Sequence, residues 1–237
     1  MRLSCFVGER TTRMAARVSK KIPTSDDTWR VFRIMAEFVE GFETLSSVGP
    51  CVTMFGSART PENHRYYELA RQTATAAVKS GYGVISGGGP GIMEAANRGA
   101  SEAGGTSIGL NIQLPYEQMP NKYIKTLINF RHFFSRKVMF LKYTSAVIVL
   151  PGGFGTMDEV FETLTLIQTH KASFLPLVLM GSDYWKGLIN WLREMMLATD
   201  YIEKEDLDLL KLIDDPQKAI AMIDRFYKKR ETDVNFV

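Results

Sequence analysis

Cysteine, histidine and long apolar runs are all scarce in this chain. Two cysteines in 237 residues, Cys5 and Cys51, are too few for a disulfide framework and point to a reducing, cytoplasmic compartment. The three histidines, His64, His132 and His170, are scattered without ligand spacing, so no metal is expected. No stretch approaches the ~18 apolar residues of a membrane span. Neither a Gly-Lys-Ser/Thr P-loop nor a Gly-x-Gly-x-x-Gly fingerprint occurs, which leaves Walker-type and dinucleotide sites unsupported. Ser-x-x-Lys and Gly-x-Ser-x-Gly nucleophile signatures are missing as well.

Charge is short on one side of the chain only. The net charge is +3, yet residues 1–21 carry six bases against one acid, which leaves −2 on the remainder. The body therefore has no basic footprint for nucleic acid, and neither nucleic acid nor membrane is expected as a partner. Residues 1–24 read as a flexible basic tail; an Arg-rich, acid-poor start also fits an organellar transit segment. Residues 231–237 read as a frayed end. No linker or composition break divides residues 25–230, so one domain is expected, large enough to bury roughly three-quarters of its unfolded surface.

What is present is glycine in two telling places. Val147-Ile148-Val149-Leu150 is a short β-branched run that reads as a buried parallel strand. It ends in Pro151-Gly152-Gly153-Phe154-Gly155-Thr156 and opens into a helical pattern with Asp158 and Glu159 in its first turns. Strand, glycine turn and helix mouth bind phosphate well: the backbone approaches the anion closely, and first-turn N–H groups point at it. A carboxylate there would repel the anion, so Glu159 suits a sugar or a developing positive charge. Gly87-Gly88-Gly89-Pro90-Gly91-Ile92-Met93-Glu94 echoes this loop after the strand Tyr82–Ser86. Cys51–Phe55, another strand, runs into Gly56-Ser57-Ala58-Arg59, where a hydroxyl and a guanidinium suit a nucleotide contact. Arg136-Lys137 places cationic groups just ahead of the Val147 strand.

Around these loops the pattern alternates strand and helix. A first helix is expected from Ser25, with Val31, Met35, Phe38, Phe42 and Leu45 on one face that packs on the sheet or on a partner subunit. Residues 62–80, a stretch through Val138–Lys142, Tyr184–Leu197 and a segment ending near Lys229 read as further helices. Thr106–Leu110, Tyr123–Phe130 and Pro176–Met180 read as strands, and Leu114–Pro120 as an irregular loop. The sum is an α/β fold with a Rossmann-like, doubly wound parallel sheet and an extra N-terminal helix.

These residues resemble the Lonely Guy (LOG) family of cytokinin riboside 5′-monophosphate phosphoribohydrolases, often mislabelled lysine decarboxylases. Pro151-Gly152-Gly153-Phe154-Gly155-Thr156-Met157-Asp158-Glu159 matches its Pro-Gly-Gly-x-Gly-Thr-x-x-Glu signature. Phe55–Arg59, Gly87–Asn97 and Arg136-Lys137 fall in the expected order, so the likeness covers roughly residues 50–200. The longer chain and extra helix are similar to the larger bacterial-type members.

The resemblance implies that Arg136 and Glu159 are catalytic. It implies substrate contacts at Gly152, Gly153, Gly155, Thr156 and Lys137, and more loosely at Glu117 and Asp158. Ser57, Arg59, Gly88, Gly89, Gly91 and Glu94 join them as candidates from the first two loops. The implied activity is hydrolysis of AMP or an N6-modified riboside 5′-monophosphate to free base and ribose 5-phosphate, with no cofactor and a homodimeric or larger unit. Two other readings compete. LOG-like folds also occur in molybdenum-cofactor carriers and a DNA-processing protein, which bind without cleaving; retention of both Arg136 and Glu159 favours the enzyme. A pyridoxal-phosphate decarboxylase would need a lysine placed for a Schiff base, and none is.

Overall fold

The computed structural model describes residues 25–114 and 119–228. The basic tail 1–24, the closing tail 231–237 and Glu117 lie outside the described residues.

Seven short strands form one sheet in which every neighbouring pair is parallel: β1 (Cys51–Phe55), β2 (Gly83–Ser86), β3 (Ser107–Ile112), β4 (Thr126–Phe130), β5 (Ala146–Val149), β6 (Leu177–Leu179) and β7 (Leu210–Leu212). Their order is β4-β3-β2-β1-β5-β6-β7. The helices are α1 (Ser25–Leu45), α2 (Arg65–Lys79), α3 (Ile92–Glu102), α4 (Phe133–Lys142), α5 (Phe154–Gln168), α6 (Ser182–Trp191), α7 (Lys204–Asp208) and α8 (Pro216–Lys228). Parallel strands are covered on both faces, which is why they read as unbroken apolar runs. Side chains still alternate along β1. Cys51 and Phe55 join one core with Leu45, Met139, Val160 and Trp185 from α1, α4, α5 and α6. Val52 and Met54 join the other, with Ala70, Ala96 and Ile220 from α2, α3 and α8.

Three local features depart from the sequence expectation. The helix expected over Tyr184–Leu197 stops being α-helical at Trp191 and continues as a π-helical segment, Leu192–Leu197. β7 has no counterpart in the sequence pattern: three residues are too few for a periodic signal, and its pairing with β6, Leu177 opposite Leu210, is decided by the sheet edge. The first helix forms, rotated so that its expected face is shared between the core, through Phe38 and Leu45, and the exposed side. Val31 and Met35 are exposed and Phe42 partly so, whereas Glu37, Gly41 and Leu45 are buried and Ile34 and Phe38 half-buried.

The rotation has a close-packing cause and a polar one. Gly41 lets Met139 of α4 approach until a Cβ there would sit 2.8 Å from its sulfur. Glu37 accepts hydrogen bonds from the Arg131 N–H at 2.9 Å and the Ser135 hydroxyl at 2.5 Å, with His132 Nδ1 3.1 Å away. A helix with apolar residues on two sides cannot show from periodicity which side is inside; a buried acid partnered by the next layer decides it.

The second core face is built from small residues. Ala70, Ala74 and Ala77 of α2 lie against Ala95, Ala96 and Ala100 of α3, so the two helices come very close. A Cβ on Gly99 would fall 2.1 Å from the Arg71 carbonyl oxygen. Replacing a mid-helix glycine by alanine ordinarily gains up to about 1 kcal/mol. Gly99→Ala has the opposite expected sign, a loss of about 1–3 kcal/mol through overpacking. Denaturant unfolding checks this, and a more stable variant would refute the packing argument.

Candidate active site

The strand order reverses between β1 and β5, so the connections after these two strands diverge and open a crevice at the carboxyl edge of the sheet. Ser57, just past β1, ties three loops together there. Its N–H donates to the Pro151 carbonyl and its own carbonyl accepts from the Ile92 N–H, each at 3.0 Å. Little space remains beside it. A Cβ on Gly152 would lie 2.0 Å from Thr156 Oγ1 and 3.0 Å from the Ser57 nitrogen, and one on Gly91 would lie 2.4 Å from the Ser57 oxygen. Gly91 and Gly88 also take left-handed φ values of +70° and +73°.

The mouth of α5 is open by contrast. A Cβ on Gly153 or Gly155 would meet nothing within 4 Å, and Phe154 is 96 % exposed. Gly153 occupies the N-cap and supplies no side-chain cap. The Thr156 and Met157 N–H groups fold back on the Gly153 carbonyl at 3.0 Å. Those of Phe154 and Gly155 have no intrahelical acceptor and sit at the positive end of the helix. This is an anion seat made of backbone. Thr156 is buried, its hydroxyl packed beneath Gly152.

Glu159 lies one turn further along α5, buried, with Oε1 3.7 Å from Arg136 Nη2. That is an ion-pair distance, too long for a hydrogen bond. Arg136 comes from α4 and packs against the rings of Phe133 at 5.1 Å and Phe140 at 5.4 Å. Its Nη1 reaches within 3.8 Å of where a Cβ on Gly87 would be, so it spans from the second glycine loop to Glu159. Its buried Nε has no hydrogen-bond partner among the described residues. Burial raises the Glu159 carboxyl to about 7, against the pull of Arg136 and Lys137. Burial likewise holds Arg136 below its usual range, opposed by Glu159 and Asp158.

The adjacent acids are thereby distinguished. Asp158 is half exposed and, with Glu162, takes the Lys137 amine at 2.9 Å. Lys137 and Asp158 thus meet each other, while Glu159 faces Arg136. Gly88 and Gly89 form the buried turn after β2. Glu94 sits half-buried in the first turn of α3. Arg59 is exposed, its N–H donating to Ser57 Oγ at 3.0 Å. Among the described residues no three His, Cys, Asp or Glu side chains converge as metal ligands.

Sequence reasoning misses three supports of these loops. Asn121 donates through its amide to the Gly88 and Gly89 carbonyls at 3.1 and 3.0 Å, and to Asn97 Oδ1 at 2.9 Å. Asn97, fully buried, also accepts from Ser86 and donates to Ser107 and the Ile108 carbonyl. An asparagine inside the alanine-rich stretch of α3 is a usable signal; Asn121 carries none. Tyr184 of α6 donates its hydroxyl to the Gly152 carbonyl at 2.6 Å, from 32 residues away. That bond turns the carbonyl outward, and the next N–H of the planar peptide points the opposite way.

The assembly offers an anion seat, a buried carboxylate that can exchange a proton near neutrality, and a cation beside it. Comparison with known proteins gives the chain its relatives. A family model described as "Possible lysine decarboxylase" matches residues 93–223. A protein of Mycobacterium tuberculosis named cytokinin riboside 5′-monophosphate phosphoribohydrolase is 29 % identical over 168 residues, covering 69 % of this chain and 88 % of that one. A protein of the same name from Rhodococcoides fascians is 27 % identical over 176 residues, covering 73 % and 88 %. Among solved structures, the molybdenum-cofactor carrier of Chlamydomonas reinhardtii shares the fold, with TM-score 0.53 and 22 % identity over 76 % of this chain and 99 % of that one.

The raised Glu159 value has a stability consequence of defined sign. In the folded protein the proton is held up to about pH 7, whereas an unperturbed glutamate has a pKa of 4.5. Stability associated with Glu159 is therefore full below pH 4.5 and lost as pH rises through 7. Glu159→Gln, which cannot ionise, should be more stable than the parent at pH 8, by on the order of 3 kcal/mol. The two should converge in acid. Parallel melting curves across pH are the check, and equal stability at pH 8 would contradict the burial argument.

Proposed function

This chain belongs to the Lonely Guy family, whose model is described as possible lysine decarboxylase, and on that premise we propose that it is a phosphoribohydrolase. It cleaves the N-glycosidic bond of AMP or N6-modified riboside 5′-monophosphates, giving free base and ribose 5-phosphate, as an AMP nucleosidase does. The observation that carries this reading is buried Glu159, paired with the largely buried Arg136 one helical turn inside an open glycine mouth. The names of the Mycobacterium and Rhodococcoides relatives support the same chemistry.

In this reading the 5′-phosphate sits on the Phe154 and Gly155 N–H groups. Fixing one end of the nucleotide removes much of the entropy barrier. Glu159 then faces the ribose. As the bond from the anomeric carbon to the base nitrogen breaks, its electron pair leaves with the base and positive charge spreads over the sugar ring. The Glu159 carboxylate stabilises that charge and takes a proton from the water whose oxygen bonds to the anomeric carbon, and a proton from solvent neutralises the departed base as Glu159 gives its own back to solvent. Arg136 offsets the negative charge on the departing base. A carboxyl near 7 is well matched to proton transfer at neutral pH. Neither step calls for a cofactor or metal.

The working form of Glu159 is the carboxylate, so kcat/KM rises with pH through a limb near 7. Glu159→Gln keeps nucleotide affinity, loses the limb and lowers turnover by roughly 10²–10⁴-fold. Release of adenine from AMP, followed chromatographically, tests both points; near-parental release by the variant would sink the assignment. A carrier of the same fold would instead retain the nucleotide and liberate no base.

The working unit in this proposal is a cytoplasmic homodimer. Among the described residues no helix is long and apolar enough to cross a membrane. On α1, Trp29, Phe32, Met35, Val39 and Phe42 stand exposed at helical spacing, a stripe that a second copy would cover. Light scattering should give the mass of two chains, and Phe32→Asp should shift it toward one. A parent protein that runs as a monomer at micromolar concentration would remove this part of the reading.

A further inference from the structure

We propose that Glu37 is a positioning residue for Arg136, acting from α1 through the first turn of α4; this rests on the phosphoribohydrolase reading. Glu37 is a carboxylate at 7 % exposure on a helix that precedes every strand of the sheet and lies outside the family match. A buried acid is retained at a cost unless its oxygens are satisfied. Here they are, and all the partners belong to one short segment. Oε1 accepts from the Arg131 N–H at 2.9 Å, Oε2 accepts from the Ser135 hydroxyl at 2.5 Å, and His132 Nδ1 lies 3.1 and 3.2 Å from the two oxygens. Burial pushes this carboxyl up, but the bonds from Ser135, Arg131 and His132 outweigh it and hold the group below its ordinary value.

Those partners are the residue before the α4 N-cap, the N-cap itself and the third residue of the helix. His132 makes no side-chain cap of its own. Glu37 thus ties the Arg131 backbone and the His132 and Ser135 side chains at the start of α4 to another helix, with its negative charge at the positive end of α4. Arg136 is the next residue after Ser135. It has few bonds to hold it otherwise. Its Nε lacks a hydrogen-bond partner among the described residues, and its nearest carboxylate contact is the 3.7 Å approach to Glu159. One of the two rings it packs on, Phe133, opens the same turn. The direction of the guanidinium therefore depends on the placement of that turn, and Glu37 holds the turn through the Arg131 N–H and the His132 and Ser135 side chains. Small displacements of such groups carry large rate costs.

A mere staple and a positioning residue differ in one measurable respect. If Glu37 acts through Arg136, its removal matters only while Arg136 is there to be misplaced. The test is a double-mutant cycle in the full-length chain with Glu37→Gln, Arg136→Lys and the pair, assaying adenine release from AMP. Glu37→Gln alone is expected to lower kcat by about tenfold with KM within about twofold. In the Arg136→Lys background the same change should alter kcat by less than about twofold. Ser135→Ala, a milder change that removes one hydroxyl contact, should show the same pattern with a smaller drop. An equal factor in both backgrounds, or an unchanged kcat in both Glu37→Gln and Ser135→Ala, overturns the proposal. A parent protein that releases no base from any nucleotide refutes the activity itself; an active parent indifferent to these changes refutes only the role of Glu37.

Discussion

Ser57 occupies a gap that the surrounding backbone leaves only because two glycines make room for it. Its N–H reaches the loop after β5 and its carbonyl reaches the start of α3. Those two bonds draw three chain segments to one point at the carboxyl edge of the sheet. Close approach of this kind admits no Cβ at Gly91, and at Gly152 the space is taken by the Thr156 hydroxyl. The squeeze sets direction. With Pro151 and Gly152 pinned inward, α5 must start at Phe154 with its mouth facing the crevice, and Glu159 must fall one turn below. Arg136 arrives from the other side, over the second glycine loop. The site is thus a consequence of where the backbone is allowed to be.

Legibility in the sequence tracks the range of the forces involved. Strand β5 and the glycine loops are readable because a β-branched run and a cluster of glycines leave their mark within ten residues. The Glu159–Arg136 pairing is suggested by resemblance, and its geometry needs the fold. Residues that act across the chain leave little trace. Tyr184 reaches Gly152 from 32 positions away, and Asn121 supports Gly88 from 33. Glu37 sits 98 positions from Ser135 and reads in sequence as an ordinary surface acid on an apolar helix. The same contact explains why α1 turns Glu37 inward while Val31 and Met35 stay exposed: hydrophobic spacing weighs every apolar side chain alike and gives no sign of an acid whose partners are out of view. The π-helical stretch after Trp191 leaves no such signature either.

Polar groups inside this protein divide into two kinds. Asn97, Ser86, Ser107 and Asn121 form a satisfied network whose bonds run between 2.6 and 3.1 Å, and such networks fix one geometry. Glu159 and Arg136 are the other kind: one buried and one largely so, neither hydrogen-bonded to the other, each displaced by burial toward its neutral form. Leaving a charge pair so incompletely satisfied is destabilising. A fold tolerates it where substrate or transition state will supply the missing partner. The contrast between the rigid network under the second glycine loop and the unsatisfied pair above it separates scaffold from working groups more sharply than exposure does.

An acid next to an anion seat looks self-defeating, and the arrangement resolves it by giving each charge its own counterpart. In the phosphoribohydrolase reading, the helix mouth meets the phosphate with fixed dipoles, which keep their orientation and need no counter-ion. Lys137 is already engaged by Asp158 and Glu162, so its charge is largely spent on the outer side of α5. Arg136 is then the cation in ion-pair reach of Glu159, with Lys137 acting on it more weakly. A phosphate seated as proposed raises the cost of ionising Glu159, because like charges in a buried site oppose each other. The same field favours positive charge on the sugar between them. A carboxylate flanked by an anion on one side and a weakly paired guanidinium on the other is therefore poorly suited to the resting nucleotide and well suited to a ribosyl cation. Such a difference between ground and transition state is what accelerates a reaction.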